Sequence, residues 1–154
     1  MEKTTSYKEI SKQILAVVEG ETNLIARMAT VSNLLHHHFD DFFWTGFYVV
    51  DPDNSSQLVV GPYQGTMGCL RIDFGKGVCG TAAASRETVI VDDVHAFEGH
   101  ITCDPNSRSE IVVPVLDGQG KLIAVLDVDS DRENAFDEVD RDGLEAILGE
   151  VFSQ

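Results

Sequence analysis

Positive charge is scarce in this chain. Of 154 residues only 11 are Lys or Arg, against 26 Asp or Glu, for a formal net charge of −15. A surface this acidic repels phosphate backbones and anionic lipid, so nucleic-acid and membrane partners are not expected. Long apolar runs are missing as well: the longest, such as residues 111–116, reach six and include Pro114, against the roughly 20 needed to cross a bilayer. Residues 1–11 are charged and polar, without the apolar stretch of a secretory signal, and a cytoplasmic location is expected. Cysteine is limited to three positions. An odd count in a reducing compartment disfavours a permanent disulfide framework and turns attention to thiol chemistry.

What remains is ordinary globular material, 43% hydrophobic and 24% charged. Surface scaling gives about 7,700 Å² for the folded chain, enough burial for a real core without staples. No repeat, low-complexity stretch or long linker divides it, so residues 1–154 are expected to form a single domain. Residues 6–19 and 23–39 carry apolar side chains at helical spacing, with Thr22 in position to cap the second helix. Residues 42–50, 57–63, 70–74, 88–91, 110–116 and 121–129 are short, rich in Val, Ile and aromatics, and bounded by turn residues. Residues 51–56 and 117–120 read as hairpin turns. Small residues over 77–86 suit a closely packed helix, and 139–151 returns to helical spacing. The order is ααβββαβ, a long loop, then ββα: an α+β fold with a mainly antiparallel sheet.

The loop over residues 92–105 is long for a compact domain and holds His95, His100 and Cys103, which marks it for function. The cysteines, Cys69, Cys79 and Cys103, lie ten and twenty-four residues apart, too far for a zinc knuckle. Any of them also fits as a small buried hydrophobe. That suits Cys79, inside the small-residue helix, better than Cys103, whose polar loop has little core to fill. A nucleophilic cysteine needs donors or positive charge nearby, and His100, Arg108 or the loop backbone are the candidates.

Period-two alternation in the last strand puts Leu122, Ala124, Leu126 and Val128 on one face, and Ile123, Val125, Asp127 and Asp129 on the other. Two carboxylates are thus neighbours, and a hairpin brings Glu110 towards them. Three gathered acids repel, raising the pKa of at least one, and can bind an ammonium group or supply a proton. A solvated strand end or a His-free metal site are the plainer alternatives. Trp44, Gly46 and Tyr48 share a strand face, where a gap over Gly46 would leave a slot for a small apolar group unless the rings are simply core. His36, His37 and His38 end a helix, where imidazoles suit the macrodipole, and read as structural.

These residues fall in segments that resemble a known family. Trp44-Thr-Gly-Phe-Tyr48, Gly61-Pro-Tyr-Gln-Gly65, Gly75-Lys-Gly-Val-Cys-Gly80, Asp93-Val-His95, Gly99-His-Ile-Thr-Cys-Asp104, Ser109-Glu-Ile-Val-Val-Pro114 and Leu126-Asp-Val-Asp129 look like those of free methionine-(R)-sulfoxide reductases, which are stand-alone GAF domains. The resemblance implies a GAF-like six-stranded antiparallel sheet flanked by N-terminal and C-terminal helices, commonly in a homodimer, that reduces the R epimer of the free amino acid's sulfoxide. By the same resemblance, Cys103 is the attacking thiol, Cys69 the resolving thiol and Cys79 a secondary one. Trp44 and Tyr48 would line a methyl pocket, while Glu110, Asp127 and Asp129 would hold the ammonium group, with Glu110 or Asp127 protonating the oxygen. An external dithiol such as thioredoxin would restore the thiols, and no metal or organic cofactor is implied. Gly68 and Asp73 depart from the alanine and proline expected around Cys69. Two alternatives are a regulatory GAF module that binds a small molecule or senses redox state without catalysis, and a metal-dependent hydrolase using the carboxylates with His95 or His100.

Overall fold

The computed structural model describes residues 1–101 and 103–153, so Thr102, inside one of the recognised segments, and Gln154 lie outside it. Its surface is 7,814 Å², in line with the expectation from chain mass. Helices α1 (Lys3–Val18) and α2 (Leu24–His38) lead into strands β1 (Trp44–Asp51), β2 (Asn54–Gln64) and β3 (Arg71–Asp73). Helix α3 (Gly77–Ser85), β4 (Val89–Val91), β5 (Ser109–Leu116), β6 (Leu122–Ser130) and α4 (Glu138–Phe152) complete the chain. The six strands form one antiparallel sheet in the order β3-β2-β1-β6-β5-β4.

One face of the sheet is covered by the apolar stripes of three helices. Tyr7, Ile10 and Ile14 of α1, Met28, Val31 and Leu35 of α2, and Leu144, Ile147 and Val151 of α4 pack on Phe47, Ile111, Val113, Leu126 and Val128. The other face carries the short helix α3, whose Val78, Cys79, Ala82 and Ala83 pack near Trp44, Tyr48, Val112 and Val125, together with Val94 of a 3₁₀ turn over residues 94–96. Because α3 spans nine residues, it covers part of that face and leaves the ends of β1, β5 and β6 to the loops. The site lies there.

Three local expectations are corrected. Asn23, not Thr22, caps α2: its side-chain oxygen accepts from the Ala26 N–H at 3.0 Å, a role asparagine fills at least as well as threonine. The first hairpin turn is tighter than residues 51–56, since Asp51 already pairs with Asn54. At the start of β6 the register slips, with Ala124 opposite Val115 but Leu122 opposite Leu116. Ile123 is the extra residue of this bulge, so Leu122 packs on the α3 side and Ile123 towards the three helices, the reverse of strict alternation. From Ala124 onward the alternation holds, and with it the placement of Asp127 and Asp129.

A buried polar group at the edge of the helical layer has no counterpart in the sequence reading. Asp140 is 1% exposed. It receives hydrogen bonds from Tyr7 Oη at 2.7 Å and Lys3 Nζ at 2.6 Å, and its carboxylate closes a capping box with Asp137 at the start of α4. This pins α1 to α4.

Candidate active site

Strand register assembles the acids. Asp129 of β6 lies opposite Glu110 of β5, and Asp127 opposite Val112 one step further in. On the other side, β1 places Trp44 opposite Asp129 and Gly46 opposite Asp127. All three carboxylates are buried, Glu110 and Asp127 at 4% and Asp129 at 9% exposure. Burial drives the carboxyl groups of Asp127 and Asp129 well above the ordinary range; for Asp127 the Asp129 and Glu110 charges add to this, and for Asp129 chiefly the Glu110 charge. At least one acid of the cluster therefore keeps its proton near neutrality, as the spacing predicts. Oδ1 of Asp127 is buried and, among the described residues, has no hydrogen-bond partner. A buried acceptor left unpaired costs about 1–3 kcal/mol, so this one is poised for a donor that arrives from outside.

The linkage has a definite sign. A carboxyl whose folded pKa lies above its unfolded value of about 3.9 destabilises the fold increasingly as pH rises, because the unfolded chain releases a proton that the folded chain keeps. Asp129→Asn is expected to stabilise the fold at pH 8 by on the order of 1 kcal/mol, with the gain vanishing below about pH 4. Thermal unfolding of both proteins across that range checks it, and a gain that persists at pH 3 contradicts it.

Trp44 and Tyr48 stand beside the acids, but not as the walls of an open slot over Gly46. The register of β1 on β2 puts Tyr63 opposite Gly46, and a Cβ on Gly46 would meet that of Tyr63 at 2.1 Å. Tyr63 stacks on Trp44 at 5.0 Å between ring centroids, and Trp44 on Tyr48 at 5.6 Å. The result is a three-ring wall fixed by the Trp44 Nε1–H bond to the Thr66 carbonyl at 2.7 Å. Tyr63 was not singled out in the sequence. Gly68 lets the following segment close on this wall, since a Cβ there would lie 2.9 Å from the Trp44 ring and 3.1 Å from Tyr48 Oη. Asp73, the second departure from the family pattern, is exposed on β3 and accepts from Gln57 Nε2 at 2.9 Å, away from the recess.

Over the acids and rings lies a disulfide between Cys69 and Cys103, with Cα atoms 5.5 Å apart across a sequence separation of 34. Thr66 Oγ1 donates to Asp104 Oδ2 beside it, tying the same two segments together. The recess beneath is lined by Trp44, Tyr48, Cys79, Glu110, Asp127 and Asp129 and opens past Cys103 and His100. Its enclosed cavity volume is about 40 Å³, room for ordered water between the acids and the rings.

Cys79 is the free thiol, buried in α3 with Sγ 3.9 Å from Glu110 Oε2. Burial, then the Asp127 and Glu110 charges, push it up and keep it protonated. It is poorly suited to attack. Ligand atoms of Cys79, Glu110 and Asp127 lie within 4.8 Å of one another, a spacing open to a cation or to a group with several N–H donors. Of the loop histidines, His100 Nε2 is 3.7 Å from Glu110 Oε1, whereas His95 is exposed in a 3₁₀ turn and does not line the recess. Arg108, a candidate donor to the thiol, instead pairs with Glu133 at 2.7 Å. His36, His37 and His38 end α2 as expected, with His36 Nδ1 3.4 Å from Thr45 Oγ1.

Comparison with known proteins agrees with this architecture. Residues 5–151 match the model of the GAF domain family. The chain is 49% identical to GAF domain-containing protein A of Dictyostelium discoideum over 95% of its own length and 90% of that protein. It is 40% identical to the free methionine-R-sulfoxide reductase of Escherichia coli over 98% of its own length and 89% of that protein. Among solved structures, free methionine-R-sulfoxide reductase from Neisseria meningitidis in complex with its substrate superposes with a TM-score of 0.91 at 44% identity, covering 96% of this chain and 87% of that one.

Proposed function

Since this chain belongs to the free methionine-R-sulfoxide reductases of the GAF-domain family, we propose that it reduces free L-methionine-(R)-sulfoxide to methionine, acting as one GAF domain over residues 1–154. The observation that carries the reading is the Cys69–Cys103 bridge over a recess lined by three buried carboxylates. The acids suit an ammonium group, whose N–H donors would find Glu110, Asp129 and the unpaired Oδ1 of Asp127. The Trp44 and Tyr48 rings suit the S-methyl end. A free amino acid carries both features within a few bonds.

In the dithiol form, the Cys103 thiolate attacks the sulfoxide sulfur. A protonated carboxyl, Asp127 or Glu110, transfers its proton to the oxygen as charge develops there. Of the two, Asp127 has a carboxyl that burial and the neighbouring charges push upward, which favours its holding the proton. The S–O bond breaks, the hydroxyl passes to the Cys103 sulfur as the new Cys103–methionine S–S bond breaks, its electron pair leaves with methionine, and Cys103 becomes a sulfenic acid. The Cys69 thiol then displaces its hydroxyl as water and closes the bridge. Cys79 packs the floor of the recess and offers its S–H to Glu110. No step requires a metal or organic cofactor.

With the Cys103 sulfur held in the bridge its thiol is not present to attack a sulfoxide, so the bridge has to open before each turnover. An external dithiol of the thioredoxin type opens it by exchange. We further propose that the protein works in the cytoplasm, a reading that this need and the sparse cysteines support, and that it does so as a homodimer. Among the described residues no helix is long and apolar enough to cross a membrane. A regulatory module binding a nucleotide is disfavoured, because the buried acids would repel its phosphates.

The test is Cys69→Ser. This variant is expected to release about one methionine per chain in a single turnover and then stall with Cys103 oxidised, while thioredoxin-driven cycling falls by about 100-fold. Unchanged cycling would transfer the resolving role to Cys79.

A further inference from the structure

We propose that Met67, Leu70 and Ile101 form an apolar docking surface for the protein dithiol that reduces the Cys69–Cys103 bridge. The proposal rests on the reading of that bridge as one opened by exchange in every catalytic cycle. Among the described residues eight large hydrophobic side chains are exposed, and three of them lie within two residues of a bridging cysteine: Met67 at 79%, Leu70 at 74% and Ile101 at 38%. Single exposed apolar side chains are ordinary, but a group of them around one reactive bond marks a contact surface.

The fold itself has no use for Leu70 there. Its carbonyl accepts from the Val60 N–H at 2.9 Å, which anchors the backbone at the head of β3, while its side chain faces solvent and does not line the recess. Met67 and Ile101 sit on the two segments that the bridge joins and that the Thr66–Asp104 hydrogen bond ties together. Met67 and Ile101 also line the recess, so they rim its mouth beside the bridge, and Leu70 adds an exposed apolar side chain on the residue next to Cys69.

Chemistry fixes what must cover this rim. A thiolate of the reductant attacks one sulfur of the bridge, the S–S bond breaks, and the other sulfur leaves as a thiolate. The reductant's second thiol then attacks the mixed disulfide. Both cysteines of the chain end reduced and the reductant's pair ends oxidised, a transfer of two electrons. A protein thiol that reaches the bridge brings the surface around it against residues 67–70, Ile101 and Cys103.

The experiment takes oxidised protein without substrate and follows the appearance of thiols by acid quench and alkylation. Reduced thioredoxin is the protein reagent and dithiothreitol the small one. Leu70→Asp is expected to lower the second-order rate with thioredoxin about tenfold and to leave the rate with dithiothreitol within about twofold of the parent. The milder Leu70→Ser should shift the thioredoxin rate in the same direction by less. Equal losses with both reagents, or no loss with either, would overturn the docking surface. If thioredoxin fails on the parent protein while dithiothreitol succeeds, the assignment of a thioredoxin-type reductant falls first and takes the docking surface with it.

Discussion

Cys103→Ser abolishes turnover of free methionine-(R)-sulfoxide, with an expected loss of at least about 10³-fold. A serine hydroxyl at neutral pH is neither ionised nor soft enough to attack a sulfoxide sulfur, and the remaining thiols are badly placed to substitute. Cys69 needs an oxidised partner to act on, and Cys79 is buried and held protonated beside Glu110 and Asp127. The carboxylates and rings are untouched by the change, so the variant should still bind substrate. Chromatographic measurement of methionine formed under excess reductant checks this. Activity above about a tenth of the parent's would remove Cys103 from the role of nucleophile.

The second large effect falls on binding. Asp127→Asn replaces the buried carboxyl whose Oδ1 has no partner among the described residues with an amide that brings donors of its own towards the ammonium group. Losing one buried hydrogen-bond acceptor to a charged group costs about 1.5–3 kcal/mol, so KM should rise roughly 10- to 150-fold. A change below about threefold would show that the ammonium group is held elsewhere. The pH profile adds to this. Because the Asp127 and Asp129 carboxyls sit well above the ordinary range, ammonium binding tightens as rising pH ionises the cluster. Proton transfer to the sulfoxide oxygen needs one proton retained, so the rate passes through a maximum. Asp127→Asn should change the shape of that profile as well as the KM.

The carboxylate site was legible because a strand imposes a strict geometry on its sequence. Alternation from Ala124 to Asp129 puts Asp127 and Asp129 on one face, and the short turn after β5 forces Glu110 opposite Asp129. The same rule failed two residues earlier, at Leu122 and Ile123, where a bulge that no local residue announces inverts the faces. The empty slot over Gly46 failed for a related reason. Whether that space is open depends on the residue opposite, and the slip between β1 and β2 delivers Tyr63 into it. Glycine spacing alone does not contain that information.

Thiol pairing is the clearest case of what periodicity cannot supply. Cys69 precedes β3 and Cys103 lies beyond β4, and only the closure of both segments over the same strand ends brings their Cα atoms to 5.5 Å. Family resemblance carried that expectation, whereas spacing left all three cysteines open. Asp140 was unreadable in a different way. An acid in the first turn of a helix is ordinary, and its burial follows from Tyr7 and Lys3, more than 130 positions away.

The central claim is that one electron pair passes from the thiols of Cys69 and Cys103 to the sulfoxide of a free amino acid, and a single turnover tests it without any reductant. Fully reduced protein, freed of reagent, is mixed with the separated R and S epimers of methionine sulfoxide, free and peptide-bound, and the thiols are mapped by mass spectrometry. The account requires about one methionine per chain from the free R epimer alone, with the Cys69–Cys103 bridge formed in step. Methionine produced while both thiols survive, or produced equally from the peptide-bound substrate, would contradict it.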